Sequence, residues 1–140
     1  THVYLNTIHN VQAGIATLGS SNYVIGNFVD DPSSQDHLLT NSSMSNDYNY
    51  LRGSSAQLSG TTIGSNDIVG TTPGFTDEAG DDFSLASGSA LLNQVPDSGQ
   101  LKTALDFFAS RYGIDIRKDI LNNTRPFGAS MDIGAYEKQS

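Results

Sequence analysis

The feature that most constrains the fold is a recurrence of asparagine in the first half of the 140-residue chain. Asn6, Asn27, Asn49 and Asn66 are each followed two positions later by an aliphatic residue. The intervals between these asparagines are 21, 22 and 17 residues. A period of about twenty residues is typical of a solenoid, in which each coil buries its apolar positions only by stacking on its neighbours.

Asparagine repeated at one turn position predicts a row of side-chain hydrogen bonds between coils, because identical stacked amides pair with one another. An asparagine-rich chain also produces such spacings by accident, so the periodicity alone leaves both explanations open. The composition favours turn-rich β-structure, since Gly, Ser, Thr, Asn and Asp are abundant while Trp is absent.

The second half of the chain contains a segment with helical periodicity. Within PDSGQLKTALDFFASRYG the apolar positions recur in steps of four, three and four, at Leu101, Leu105, Phe108 and Tyr112. This spacing predicts one α-helix over about residues 99–112. Asp97 or Ser98 is expected to cap its start, and Gly113 to end it in a left-handed conformation.

Charge and composition exclude several classes of partner and site. The formal charge of −8 argues against binding to nucleic acid or to anionic membranes. No apolar run is long enough for a transmembrane helix. The absence of cysteine excludes disulfides and cysteine-based metal sites. Neither a glycine-rich phosphate loop nor a nucleophile elbow occurs in the sequence.

Three segments of the second half carry a family resemblance: TTPGFTDEAGDDFSLASGSALLNQV, KDILNNTRP and MDIGAYE. Together they resemble the C-terminal end of the pectate-lyase-like right-handed parallel β-helix proteins, a secreted superfamily that contains polysaccharide-degrading enzymes. The matching positions are Pro73, Phe75, Phe83, Leu85, Gly88, Ser89, Asp119, Arg125, Pro126 and residues 132–137. The chain departs from the pattern at Ala90, where proline is usual, and in the helix that lengthens the connection.

The resemblance implies an all-β fold, a right-handed parallel β-helix. Residues 1–70 would form the terminal coils, and residues 71–140 a fold-back segment with the helix and a closing strand over 131–136. That strand is expected on the outside of the last coils, where Asp132 and Arg125 form charge-assisted hydrogen bonds. Because the coils are few, we expect an N-terminal β-helix portion of the same protein as a partner.

The resemblance also implies a function outside the cell or at its surface. The favoured expectation is a polysaccharide lyase acting on a uronate polymer, with its main catalytic residues upstream of Thr1. In such chemistry a cation neutralises the uronate carboxylate and a base removes the acidified C5 proton. The alternative is a non-catalytic, adhesin-like β-helix that binds glycan or ice, or spaces other domains.

Acidic residues of the first half are the candidate metal ligands. Asp30, Asp31 and Asp47 offer the hard oxygen atoms that Ca²⁺ prefers. The sequence has no calcium-loop motif, so solvated loop carboxylates remain the competing interpretation.

The basic residues nearest these acids are His9, His37 and Arg52, which stacked coils would align along one groove as catalytic candidates. A histidine can serve as a base near neutral pH, although His9 is equally interpreted as a hydrogen-bonded residue at a strand edge. Tyr48 and Tyr50 alternate in sequence and are candidates for stacking on a sugar ring, with packing in the core as the alternative.

Overall fold

Three parallel sheets stack the first half of the chain into a β-solenoid of about three turns in the computed structural model, which describes residues 1–30 and 35–139. The first coil contains β1 (His2–Tyr4), β2 (Thr7–Ile8) and β3 (Ile15–Thr17). The second contains β4 (Asn22–Ile25), β5 (Phe28–Asp30) and β6 (Leu38–Thr40). The third contains β7 (Met44–Asp47), β8 (Tyr50–Arg52) and β9 (Leu58–Ser59), and β10 (Ile68–Gly70) follows.

Equivalent strands of successive coils pair in parallel, which confirms the predicted stacking. The three sheets have the orders β1-β4-β7, β2-β5-β8-β10 and β3-β6-β9. The inner core consists of aliphatic side chains from all three sheets: Ile15, Val24, Val29, Leu38 and Leu51. Since neighbouring residues of a strand point to opposite faces, the strand positions on either side of Val29 and Leu51 face outward.

The predicted asparagine row is present, and we call it the ladder. The backbone N–H and Nδ2 of Asn6 both donate to Oδ1 of Asn27, each at 3.0 Å. The same two groups of Asn27 donate to Oδ1 of Asn49, at 3.0 and 3.1 Å. The ladder therefore aligns the corner that precedes the second strand of each coil.

The fourth ladder position is Asp67, so the prediction of Asn66 is wrong by one residue. Asp67 directly precedes a strand, as Asn49 does, and its Oδ1 accepts from the N–H and Nδ2 of Asn49 at 2.8 and 2.9 Å. Asn66 is exposed and donates instead to the carboxylate of Asp47. Strand register, rather than residue type, selects the ladder position.

The second half folds back over the outside of the β2-β5-β8-β10 sheet. Its elements are β11 (Phe75–Asp77), a 3-10 turn (Glu78–Gly80), β12 (Asp82–Leu85), β13 (Val95–Pro96), α1 (Gly99–Tyr112) and β14 (Ser130–Met131). β11 and β12 form an antiparallel hairpin, and β13 pairs antiparallel with β14. An outer core joins Phe28 and Tyr50 of the sheet to apolar residues of this segment: Leu85, Leu91, Val95, Leu101, Leu105, Met131 and Ile133.

The helix has the predicted bounds. Gly113 adopts the expected left-handed conformation at its end, with φ of 67°. Ser98 occupies the N-cap position but makes no side-chain capping bond. Asp97 does not cap the helix in its place, because its carboxylate accepts hydrogen bonds from Arg117 at 3.1 and 3.3 Å.

The closing strand is shorter than predicted. Regular pairing ends at Met131. The N–H of Gly134 donates to the carbonyl of Gly26 at 2.8 Å, and that of Ala135 to Oγ1 of Thr7 at 3.0 Å. The tail thus contacts the first and second of the terminal coils. Gly134 is required there, because its φ is +94° and a Cβ atom would lie 2.6 Å from Oγ1 of Thr7.

Candidate functional site

His9, Asp30 and Arg52 lie in one row on the outside of the β2-β5-β8-β10 sheet. Asp30 is directly opposite Arg52 where β5 pairs with β8. His9 follows Ile8, whose partner is Val29, so it is level with Asp30. The parallel register therefore brings together three candidates that the sequence separates by 21 and 22 residues.

Glu78, in the 3-10 turn of the fold-back hairpin, completes the cluster. Nε2 of His9 lies 3.0 Å from Oε1 of Glu78 and 3.2 Å from Oδ2 of Asp30. Nη1 of Arg52 lies 3.3 Å from the same Asp30 oxygen and also donates to Oε1 of Glu78. Phe83 packs against the His9 ring with their centroids 4.7 Å apart. We call His9, Asp30, Arg52 and Glu78 the tetrad.

The ion pair between Arg52 and Glu78 dominates the electrostatics of the tetrad. The hydrogen bond from Arg52 lowers the pKa of the Glu78 carboxyl, although partial burial acts in the opposite direction. The same bond raises the pKa of Arg52. Both groups are therefore charged at neutral pH. The side chains of His9, Arg52 and Glu78 keep 28%, 26% and 29% of their surface exposed, so solutes can reach them.

This arrangement has two chemical capabilities. A guanidinium with its planar donors is well suited to a second carboxylate, such as that of an acidic ligand. A histidine within hydrogen-bond distance of carboxylates is oriented by them and can take up a proton near neutral pH. Arg52 and His9 supply these two functions from the two ends of one row, on either side of Asp30.

The tetrad does not fit a calcium ion. His9, Asp30 and Glu78 form the one group of three metal-ligating side chains found among the described residues. Arg52 already contacts an oxygen of both carboxylates. Calcium also prefers an all-oxygen ligand set, which the histidine does not provide.

The other two predicted ligands do not add to this group. Asp47 lies at a corner of the third coil, where its Oδ1 accepts from the N–H groups of Tyr48 and Asn66 at 3.1 and 2.8 Å. Asp31 lies outside the described residues. Calcium binding stays a prediction and supplies no step of the function proposed below.

His37 is held by the backbone. It is 1% exposed, and Nδ1 accepts from the N–H of Gln57 at 3.0 Å. Nε2 then carries the proton and donates to the carbonyl of Arg52 at 2.8 Å. The ring therefore links two coils through the backbone of Arg52 rather than through the charged side chains of the tetrad, and its catalytic role stays a prediction.

The two tyrosines predicted to bind sugar pack against the outer core. Tyr50 is 2% exposed and stacks on Phe28 with the ring centroids 5.7 Å apart. Tyr48 is half-buried beside the same core. A ring as buried as that of Tyr50 offers no face to a ligand, so Tyr50 does not enter the proposed site, and sugar binding by Tyr48 stays a prediction.

Sequence reasoning missed Glu78, which lies 69 residues from its partner His9. Two features could have pointed to it. The turn EAG places an acid at the tip of a hairpin, and Phe75 and Phe83 flank that tip. The tip reaches His9 and Arg52 only because the second half of the chain folds back over the sheet. No local sequence pattern predicts that fold-back.

Comparison with protein-family models, curated proteins and solved structures finds no match for this chain. Among the described residues, no helix is both long enough and apolar enough to cross a membrane.

Proposed function

We propose that the protein is a carbohydrate-active β-helix of the pectate-lyase-like kind, secreted or held at the cell surface, and that the tetrad contacts an acidic polysaccharide. The observation that carries the proposal is the row of His9, Asp30 and Arg52. Three successive coils contribute these side chains to one line on the outside of a parallel sheet, in which Asp30 is buried between the more exposed His9 and Arg52. A polymer that lies along the coils would meet His9 and Arg52.

Glu78 indicates what kind of group the row accepts. Its carboxylate interacts with both Arg52 and His9. A uronate residue presents the same group, so its carboxylate would replace Glu78 on Arg52 and leave His9 without this partner. This local attraction would offset the repulsion between a uronate polymer and a chain of formal charge −8.

The favoured activity is β-elimination. Arg52 would neutralise the uronate carboxylate, which makes the C5 proton more acidic, and His9 would accept that proton. The electron pair of the C5–H bond forms the C4–C5 double bond, and the C4–O bond breaks. The departing oxygen takes a proton from solvent. The remaining catalytic residues of the enzyme would lie on further coils of the β-helix. These coils are the partner that we propose for this chain.

A non-catalytic glycan-binding β-helix is the second candidate. It is favoured by the fold-back segment, which covers much of the outward face of the sheet and buries Phe28 and Tyr50 completely or nearly so. The part of this face proposed for binding is then limited to the exposed side chains of the tetrad, which are His9, Arg52 and Glu78. Such a site would bind an acidic glycan without cleaving it.

Calorimetric titration with oligogalacturonate and oligoalginate tests the proposal on the full chain. Because a charged hydrogen bond contributes about 1.5–3 kcal/mol, Arg52→Ala should weaken binding by about tenfold or more. Glu78→Ala should strengthen binding, because it frees Arg52 and His9. Lys102→Ala, an exposed change in α1, serves as the control.

Ultraviolet absorbance of unsaturated uronate products distinguishes the two candidates, and the assay is run with added Ca²⁺ and with a chelator. Product formation supports the lyase, and binding without product supports the glycan-binding protein. Equal affinity of the wild type and Arg52→Ala for both oligomers would contradict both.

A further inference from the structure

The outer edge of the first coil has backbone hydrogen-bonding groups that pair with no other strand among the described residues. β1, β2 and β3 are all edge strands, and none of residues 1–30 and 35–139 pairs with their outer sides. Val3 and Ile8 are only half-buried, whereas their second-coil equivalents Val24 and Val29 are fully buried. Exposed parallel edges of this kind accept further strands.

The ladder has a direction, and its open end lies at this edge. At each step the N–H and Nδ2 of one residue donate to Oδ1 of the residue in the next coil, from Asn6 towards Asp67. Oδ1 of Asn6 accepts no hydrogen bond from the described residues. It points to a position where a further ladder residue would have to donate both a backbone N–H and a side-chain amide.

A second copy of this chain stacked head to tail cannot supply those donors. Its far end would present Asp67, whose side chain is acceptor-only. The backbone N–H of Asp67 already donates to the carbonyl of Gly64 at 3.2 Å. The chemistry of the ladder therefore selects against self-association through these two ends.

The fold-back segment extends past the first coil and forms an outer wall for the open position. A cavity of about 710 Å³ lies between the β1 edge and residues that include Leu105, Ile116 and Ile120. An adjoining cavity of about 420 Å³ lies under α1 and is lined by Phe107 and Phe108. The second cavity has a mostly apolar lining, whereas the first also contains the charged residues Lys118, Asp119 and Arg125.

The residue that directly follows each ladder position indicates which side chain a further coil would direct towards the fold-back segment. In the second and third coils the ladder asparagine is followed by Phe28 and Tyr50, and both pack in the outer core. In the first coil the equivalent residue is Thr7. A coil added beyond Thr7 would place the residue after its asparagine in line with Phe28 and Tyr50, whose side chains pack against the fold-back segment.

We infer that the outer edge of the first coil binds a further parallel β-coil whose corner carries an asparagine followed by an apolar residue. The inference deepens the partner part of the proposed function and rests on its β-helix assignment. It makes no use of carbohydrate binding. If the glycan experiments fail, the inference about the further coil is not contradicted. If the further coil does not bind, the proposed role of the tetrad is not contradicted.

An extended chain provides the test. A second copy of residues 1–21 is placed before Thr1, because 21 residues separate the paired positions His2 and Tyr23. In this added coil the residue after the ladder asparagine is changed to Phe. A matched variant carries Ala in place of the added asparagine, and a third keeps the asparagine but follows it with Asp.

Thermal melting and limited proteolysis are measured for all three extended chains and for the wild type. We expect the Asn-Phe coil to resist proteolysis and to melt above the Ala-Phe form. For a chain of this size about 2–4 °C corresponds to each kcal/mol gained, so a difference of several degrees is expected from the two ladder bonds. The Asn-Asp form should melt below the Asn-Phe form.

Three results would overturn the inference. One is an added Asn-Phe coil that is cleaved as readily as the Ala-Phe coil. Another is equal melting of the two forms. The third is head-to-tail self-association of the wild-type chain, detected by sedimentation and abolished by Asn6→Ala, which would make a second copy the occupant.

Discussion

Oδ1 of Asp67 accepts two hydrogen bonds from Asn49, at 2.8 Å from the backbone N–H and at 2.9 Å from Nδ2. Its second oxygen accepts from Nδ2 of Asn46 and from the N–H of Gly64, each at 2.8 Å. Both oxygens are thus fully used as acceptors. A carboxylate at this position ends a ladder that asparagine would continue.

Asp67→Asn should destabilise the protein by about 1–3 kcal/mol, the cost of leaving buried donors without an acceptor. Either orientation of the new amide places an NH₂ group against two donors. Urea unfolding followed by circular dichroism measures the difference, with Ser65→Ala, at an exposed position of the same turn, as the control. Unchanged stability would show that the carboxylate is not needed.

Asn49→Ala should cost more than Asn66→Ala, although the two asparagines are close in sequence. Asn49 is fully buried, and without its side chain the donors of Asn27 lose their acceptor. We expect a loss of about 2–4 kcal/mol for Asn49→Ala and below about 1 kcal/mol for the exposed Asn66→Ala. Equal losses in urea unfolding would contradict the ladder described here.

The sequence predicted the ladder through three of its four members, because asparagine recurs with the period of the coils. It could not predict the fourth, since Asn66 and Asp67 are both plausible corner residues and only the register of β10 on β8 decides between them. The bounds of the helix were predicted, because its period is local, but the expected side-chain cap at its start is not formed. The placement of the tail on the first two coils depends on contacts such as Ala135 with Thr7, which are 128 residues apart.

Stability should depend on pH through Glu78. Its pKa is held below the ordinary value of about 4.5 by the hydrogen bond from Arg52. A lowered folded-state pKa contributes stability that is fully present above the unfolded value and is lost as the pH falls through the folded value. The advantage of the wild type over Glu78→Gln should therefore be constant near neutral pH and should shrink below about pH 4.5.

Thermal melts of the wild type and Glu78→Gln between neutral and acidic pH check this. Burial raises the pKa of Glu137 in both proteins, so that contribution cancels in the difference. A difference in melting temperature that does not change with pH would mean that the Arg52–Glu78 pair is not formed in solution.

The tail should contribute to stability rather than to ligand binding. Asp132 is 2% exposed and accepts from the N–H groups of Asn93 and Lys138 at 2.6 and 2.7 Å. Asp132→Ala should lower the free energy of unfolding by about 1–3 kcal/mol and leave oligogalacturonate affinity unchanged. Lys102→Ala removes only an exposed pair and should cost a few tenths of a kcal/mol at most. Loss of affinity in folded Asp132→Ala would place the tail in the binding site.

The candidate site was predicted in part for the same reason as the ladder. His9, Asp30 and Arg52 follow the coil period, and stacking brings them into one row. Glu78 does not follow that period, and its position depends on the hairpin packing of Phe75 and Phe83 over the sheet. Tyr50 was misleading because aromatic residues suit both a sugar site and a core, and the sequence does not show which face of β8 is covered.

One directional ladder aligns the coils and thereby brings His9, Asp30 and Arg52 into one row. Amide hydrogen exchange by NMR tests this alignment most directly at the backbone N–H of Asn27, whose acceptor is the side chain of Asn49. We expect strong protection of this amide in the wild type. In Asn49→Ala its exchange should accelerate more than that of Ile133, which donates to Leu91 in the tail. Unprotected exchange of the Asn27 amide in the wild type would contradict this alignment by the ladder.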